Sequence, residues 1–141
     1  MNQGILKGLR ILDFTWVLSG PYATRILADF GAEVIKVQSK KTAGGVESNL
    51  TGYFSHWNRN KRSITLDMSH PEAKQIVLGL ARISDVVIEN FSSRVMSNWG
   101  MDYERLKEVR PDIIMVSMSS MGQTGPWKDF VAFGPALQAL S

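Results

Sequence analysis

A chain of 141 residues, 44% of them hydrophobic, has the length of one compact domain and buries roughly two-thirds of its unfolded surface without covalent staples. It contains no cysteine, which excludes a disulfide framework, a thiol nucleophile and a cysteine-ligated zinc. Its 16 basic and 13 acidic residues leave a net charge of +3 with no block of like charge, too small an excess to argue for nucleic acid. No apolar run reaches signal-peptide or membrane-span length, so the expectation is a cytoplasmic protein without a membrane partner.

Taken in chain order, residues 9–14 (LRILDF) predict a strand. A Ser19-Gly20-Pro21 turn and a helix through Tyr22, Ile26, Leu27 and Phe30 follow. Pro21 suits the first helical turn, where its missing N–H has no intrahelical partner, and Gly31 suits the exit. Residues 33–38 (EVIKVQ) predict a second strand. Periodicity then fails from 39 to 62, where glycine, asparagine and aromatic residues accumulate; a long loop is expected, of the kind that is functional in compact domains.

Residues 63–67 (SITLD) predict a third strand. Ser69-His70-Pro71-Glu72 has capping-box spacing, and Ile76, Val77, Leu80 and Ile83 recur at helical intervals, which predicts a helix over 71–82. Strands are expected at 85–89 (DVVIE) and 112–118 (DIIMVSM), with a short helix over 102–109 ended by Pro111. An apolar run from 130 to 140 reads as a helix without a C-terminal cap. Alternation of this kind with nearly continuous apolar strands indicates an α/β domain, an open parallel sheet with helices on both faces.

Ligands of open α/β sheets sit beyond the carboxyl ends of the strands, which makes a rim of residues 15–20, 38–41, 90–94 and 119–127. The first turn lacks GxGxxG and the second strand ends in Gln38 rather than an acid, so a dinucleotide site is not expected. There is no GxxxxGK[ST] either. Lys40 and Lys41, and Arg59, Lys61 and Arg62, form two basic clusters able to flank a phosphorylated ligand, although composition alone reads them as solvated loop charge. His56 and His70 lack metal-ligand spacing, and no metal is expected. Trp16, Trp57, Trp99 and Trp127 can stack a base, with packing the competing role. Serines 117, 119 and 120 lack a nucleophile-elbow context.

LKGLRILDFTWVLSGPYATRILADFGAEVIKVQ, NKRSITLDM, ISDVVIENF and the GQTGP turn, in this order from Leu6 onward, resemble the family III CoA-transferases. That group includes formyl-CoA transferase, carnitine CoA-transferase and alpha-methylacyl-CoA racemase. The resemblance implies a Rossmann-like fold, coenzyme A or acyl-CoA as substrate, a carboxylic acid as acceptor, and an interlocked homodimer or association with a longer homologue. Val17 matches the family's CoA contact after the first strand, Leu66 falls in its adenine-side strand, and Asn90 and Phe91 match its ENF contact. Lys40 stands where relatives often carry an arginine for the nucleotide phosphates, which keeps the charge but loses the planar fork. Ser69 and Asn98 stand where formyl-CoA transferase has basic residues.

In the family an aspartate beyond the QALSG-like segment, which residues 138–141 begin, attacks the acyl-CoA to give a mixed anhydride and then an enzyme CoA thioester. None of Asp13, Asp29, Asp67, Asp85, Asp102, Asp112 and Asp129 matches that motif, so no catalytic residue is assigned. The resemblance thus implies that residues 1–141 form an N-terminal CoA-binding domain, truncated relative to the family and inactive alone. A fragment of a racemase or isomerase of the same family, or a non-catalytic CoA-binding or interaction module, are the alternatives.

Overall fold

Five short runs rich in β-branched and aliphatic residues form the strands of a single parallel sheet. They are β1 (Arg10–Asp13), β2 (Glu33–Gln38), β3 (Arg62–Thr65), β4 (Val86–Glu89) and β5 (Ile114–Ser117). The computed structural model describes residues 4–39, 48 and 50–140. The strand order is β3-β2-β1-β4-β5, so the chain runs outward from β1 and then crosses back to continue on the other side. This places the reversal point between β1 and β4, where doubly wound sheets bind ligands. Leu12 of β1 pairs with Ile35 and with Val87.

Helices cover both faces. On one, α1 (Ser19–Asp29) brings Ala28 against Ile11, Val34 and Ile88. On the other, Ala73, Val77 and Ala81 of α3 (Pro71–Arg82) and Leu106 of α5 (Tyr103–Val109) pack with Leu12 and Val87. The α/β expectation with a parallel sheet therefore holds. Gly31 leaves α1 at φ +103°, and a Cβ there would lie 2.9 Å from the Gly4 Cα; both demands select glycine.

Several local expectations are corrected. The stretch 39–62 is not all loop, because α2 (Gly52–Asn58) forms with Thr51 accepting from the Phe54 N–H as N-cap. Another short helix, α4 (Val95–Asn98), was also not anticipated. The capping box before α3 does not form: Ser69 instead donates its N–H and hydroxyl to Asp67 Oδ1 at 3.0 and 2.7 Å, and His70 caps without a side-chain bond. Of the residues expected to recur along α3, Val77 is buried and Leu80 packs against the core, while Ile76 and the C-cap Ile83 are 43% and 50% exposed and small Ala73 and Ala81 face the core instead. Small residues there let the helix approach the sheet closely. The C-terminal helix α6 is shorter than its apolar run, spanning Gly134–Leu140.

One polar knot lies inside this frame. Asp13, fully buried at the end of β1, accepts from the Thr24 hydroxyl at 2.7 Å and from Lys61 Nζ at 3.0 Å. Lys61 Nζ also donates to Thr24 Oγ1, Asn58 Oδ1 and the Pro21 carbonyl within 3.1 Å. The pair joins β1 to α1 and to the entry of β3. Removing one member of such a pair strands the other charge, at a cost of ~3–5 kcal/mol. Lys61→Met is expected to lose about that much in urea denaturation, and adding Asp13→Asn to recover part of it; wild-type stability in Lys61→Met would refute the pairing.

The C-terminal stretch leaves apolar surface uncovered: Phe130, Val131, Phe133 and Leu140 are each more than half exposed. Patches of this kind promote association. Light scattering across a dilution series is expected to show concentration-dependent self-association that Phe133→Ser with Leu140→Ser weakens; a monomer at every concentration would contradict it.

Candidate ligand-binding site

The turns leaving β1, β2, β3 and β4 enclose a cavity of about 630 Å³ at the carboxyl edge of the sheet. Its walls are Phe14, Thr15 and Trp16 after β1, Lys36 to Ser39 at the end of β2, Leu66 to Ser69 after β3, and Phe91 after β4, with Lys74, Asn98 and Trp99 from the helices. The aromatic side is built as a chain of contacts: Trp16 to Phe91 at 6.5 Å, Phe91 to Trp99 at 5.3 Å and Phe14 to Trp99 at 6.4 Å between centroids. Tilted and edge-to-face ring pairs of this spacing are favourable. A second cavity of about 520 Å³ lies across Trp16 and Phe91, lined by Val17, Leu18, Ser19, Asn90 and, from the C-terminal stretch, Phe130 and Phe133.

The five residues singled out from the sequence divide between these spaces. Leu66 lines the larger cavity and Phe91 lines both. Val17 and Asn90 line only the smaller. Lys40, like Lys41, lies outside the described residues. Ser69 and Asn98 line the larger cavity, as do Trp16 and Trp99 among the tryptophans. Trp57 instead packs edge-on to Tyr22 at 5.4 Å, and Trp127 is 61% exposed. The rim segment after β3 was absent from the set argued from strand ends alone.

The basic cluster before β3 lines neither cavity and is paired with acids. Lys61 is tied to Asp13, Arg59 to Asp29 at 2.7 Å, and Arg62 to Glu33 at 3.0 Å. The Arg59 bond holds the Asp29 carboxyl below its usual range, opposed by burial, with a further bond from Asn60 and the nearby Arg59 and Arg25 charges adding to the lowering. The cations that do line the larger cavity among its described residues are Lys36 and Lys74. Sequence reasoning missed both. Lys36 was visible as a lysine in an otherwise apolar strand; it is 1% exposed and donates to the Thr15 carbonyl. Lys74 gave no such signal, being an ordinary helical residue until α3 is placed.

His56 lies 3.1 Å from Arg25 Nη1, and neither histidine lines a cavity. Ser119 and Ser120 are bonded to Gln123 and to the Ala132 N–H, at 3.3 and 3.2 Å. No metal-ligand cluster occurs among the described residues, and none of the described helices is long and apolar enough to cross a membrane.

The sequence and the fold have known counterparts. The model of CoA-transferase family III matches residues 6–141. The chain belongs to that family. It is 38% identical to a succinate–glutarate CoA-transferase of Agrobacterium fabrum, over 96% of this chain and 37% of that protein. It is 41% identical to a formyl-CoA:oxalate CoA-transferase of Rhodopseudomonas palustris, over 88% of this chain and 31% of the relative. A crystal structure of a CAIB/BAIF family protein from Brucella suis superposes with a TM-score of 0.89 at 35% identity, covering 97% of this chain and 39% of that one. The family III chain described here thus spans about a third of the length of the curated relatives it matches.

At the end of β4, next to this site, Glu89 is a carboxylate 2% exposed. It accepts from the Phe91 N–H at 2.7 Å. Burial raises its pKa above the ordinary 4.5, partly offset by bonds from Ser117 and the Phe91 amide. A raised folded value means that this group's stabilising contribution is fully present below the unfolded pKa and lost as pH rises through the folded one. Glu89→Gln, which keeps an acceptor for Phe91, is expected to be more stable than wild type at neutral pH, with the gap closing as the pH falls toward 4.5. Parallel urea titrations at several pH values check this; a constant gap would mean that Glu89 is not the group responsible.

Proposed function

We propose that this chain is the CoA-binding part of an enzyme that moves CoA between an acyl-CoA and a carboxylic acid, and that it does not complete the transfer alone. The observation that carries the reading is the larger cavity, in which an aromatic and aliphatic wall (Trp16, Leu66, Phe91, Trp99) faces a polar rim with Lys74, Ser69 and Asn98. Such a site suits a flat base on the wall and phosphates at the rim. Lys74 supplies a charge on the wall that carries Ser69, so the departure at Ser69 does not leave that side without a cation. Val17 and Asn90 on the far side of Trp16 would follow the ligand toward its thioester end.

Transfer by this family's chemistry needs a free carboxylate nucleophile, and the aspartates present are engaged elsewhere. Asp13 is buried against Lys61, Asp29 holds Arg59, Asp85 and Asp112 share Arg110, and Asp129 pairs with Arg94. Asp102 caps α5, and Asp67, the aspartate that lines the larger cavity, accepts from Ser69. This supports assigning the reactive carboxylate to sequence outside the 141 residues. A homodimer, or pairing with a longer homologue, is the assembly proposed.

Calorimetric titration with CoA and with 3′-dephospho-CoA tests the reading. Binding of CoA is expected, and Lys74→Ala is expected to weaken it by ~1.5–3 kcal/mol where the contact is shielded from water. Incubation with acyl-CoA and acceptor acids is expected to give no exchange. Absence of CoA binding would remove the ligand assignment, and a trappable acyl-enzyme would overturn the claim of inactivity.

A further inference from the structure

The side-chain amide of Asn90 brackets the backbone of one residue, Trp16, with the Ser19 hydroxyl 3.4 Å from its Nδ2 as a longer third contact. Its Oδ1 accepts from the Trp16 N–H and its Nδ2 donates to the Trp16 carbonyl, both at 2.9 Å. The β1–β4 ladder ends one step earlier, where the Phe14 N–H reaches the Ile88 carbonyl at 2.9 Å. Beyond that the backbones diverge, and Asn90 continues the ladder with a side chain in place of a strand. The residue that follows clamped Trp16, Val17, has φ +63°, a left-handed conformation that is unfavourable for a β-branched residue. The clamp bridges β1 and β4 at the reversal point of the sheet, and Trp16, whose backbone it holds, is the partition between the two cavities.

We infer that Asn90 is a positioning residue, which acts on a ligand by holding Trp16 and Val17 in their left-handed turn and not by contacting the ligand with its amide. This rests on the CoA-binding reading for its ligand, but the turn itself is a property of the free protein. A turn held in an unfavourable conformation by an external clamp is a two-state element, and loss of the clamp lowers the fraction of molecules competent to bind. Glycine carries no penalty at positive φ. The effect of removing Asn90 must therefore depend on which residue occupies position 17.

A double-mutant cycle reads that dependence. Asn90→Ala is expected to weaken CoA binding about ten-fold. The same substitution in the Val17→Gly background is expected to cost about three-fold or less. Equal losses in both backgrounds would show that Asn90 acts on the ligand directly and would overturn the inference. Hydrogen exchange without ligand separates this from the ligand assignment: Asn90→Ala is expected to accelerate exchange of the Trp16 amide while the β2 amides keep their protection. An unchanged Trp16 rate would overturn the clamp whether or not CoA binds. Asn90→Asp, which keeps the acceptor for the Trp16 N–H and loses the donor, serves if Asn90→Ala fails to fold; it is expected to give a smaller acceleration of the Trp16 amide and a smaller affinity loss, and identity with wild type in both would also overturn the proposal.

Discussion

The Asp13 carboxylate and the Lys61 ammonium, 3.0 Å apart with side chains 0% and 1% exposed, meet where β1 ends, α1 begins and the chain turns into β3. A charge buried there without its partner is not tolerable, so the three segments must arrive together. The same carboxylate accepts from the Thr15 N–H at 2.8 Å, which sets the direction in which the chain leaves β1. α1 then packs so tightly on that turn that a Cβ at Gly20 would sit 2.3 Å from the Thr15 side chain. Lys36 adds a bond to the Thr15 carbonyl from β2. Every wall of the site that follows β1 inherits its position from this knot.

Charge at the site follows from the same constraint. The arginines and lysine between 59 and 62 carry acids of the scaffold, and among the described residues the cations that line the larger cavity come from the middle of β2 and the first half of α3. Buried lysine is costly unless its donors are satisfied, and Lys36 has one of them on Thr15. An anion in the adjoining cavity would add a counter-charge to this ammonium as well as to Lys74. Binding and local stability are coupled in such an arrangement.

Strands were the most legible part of the sequence because short apolar runs between turn residues leave little choice; residues 33–38 became β2 without change. Two of the short helices were not legible, although α5 and α6, of seven residues each, were anticipated. α2 and α4 have too few turns for a period to emerge, and α2 depends on a single Thr51 cap. Ser69 misled because its hydroxyl had two acceptable partners and Asp67, closer in the chain, took it. At the site, Leu66, Asn90 and Phe91 were found through resemblance, but nothing local distinguishes an asparagine that touches a ligand from one that holds a peptide. Lys74 became visible only once α3 was docked, since five residues separate it from the strand-end rim at Ser69.

The larger cavity is assembled from turns after four strands and from two helices, all within a stretch that spans about a third of the matched relatives. On the proposed reading the binding groups lie in this stretch, whereas its aspartates are engaged in turns, caps, ion pairs and the buried knot. The two requirements conflict within one small domain. A carboxylate tethered by a cation or by backbone N–H groups is held in place but is a weaker nucleophile, and freeing one here would dismantle the scaffold that shapes the cavity. On the proposed reading a nucleophile supplied from outside this domain resolves the conflict, because it can approach the thioester end beyond Trp16 without giving up any bond on which the binding wall depends.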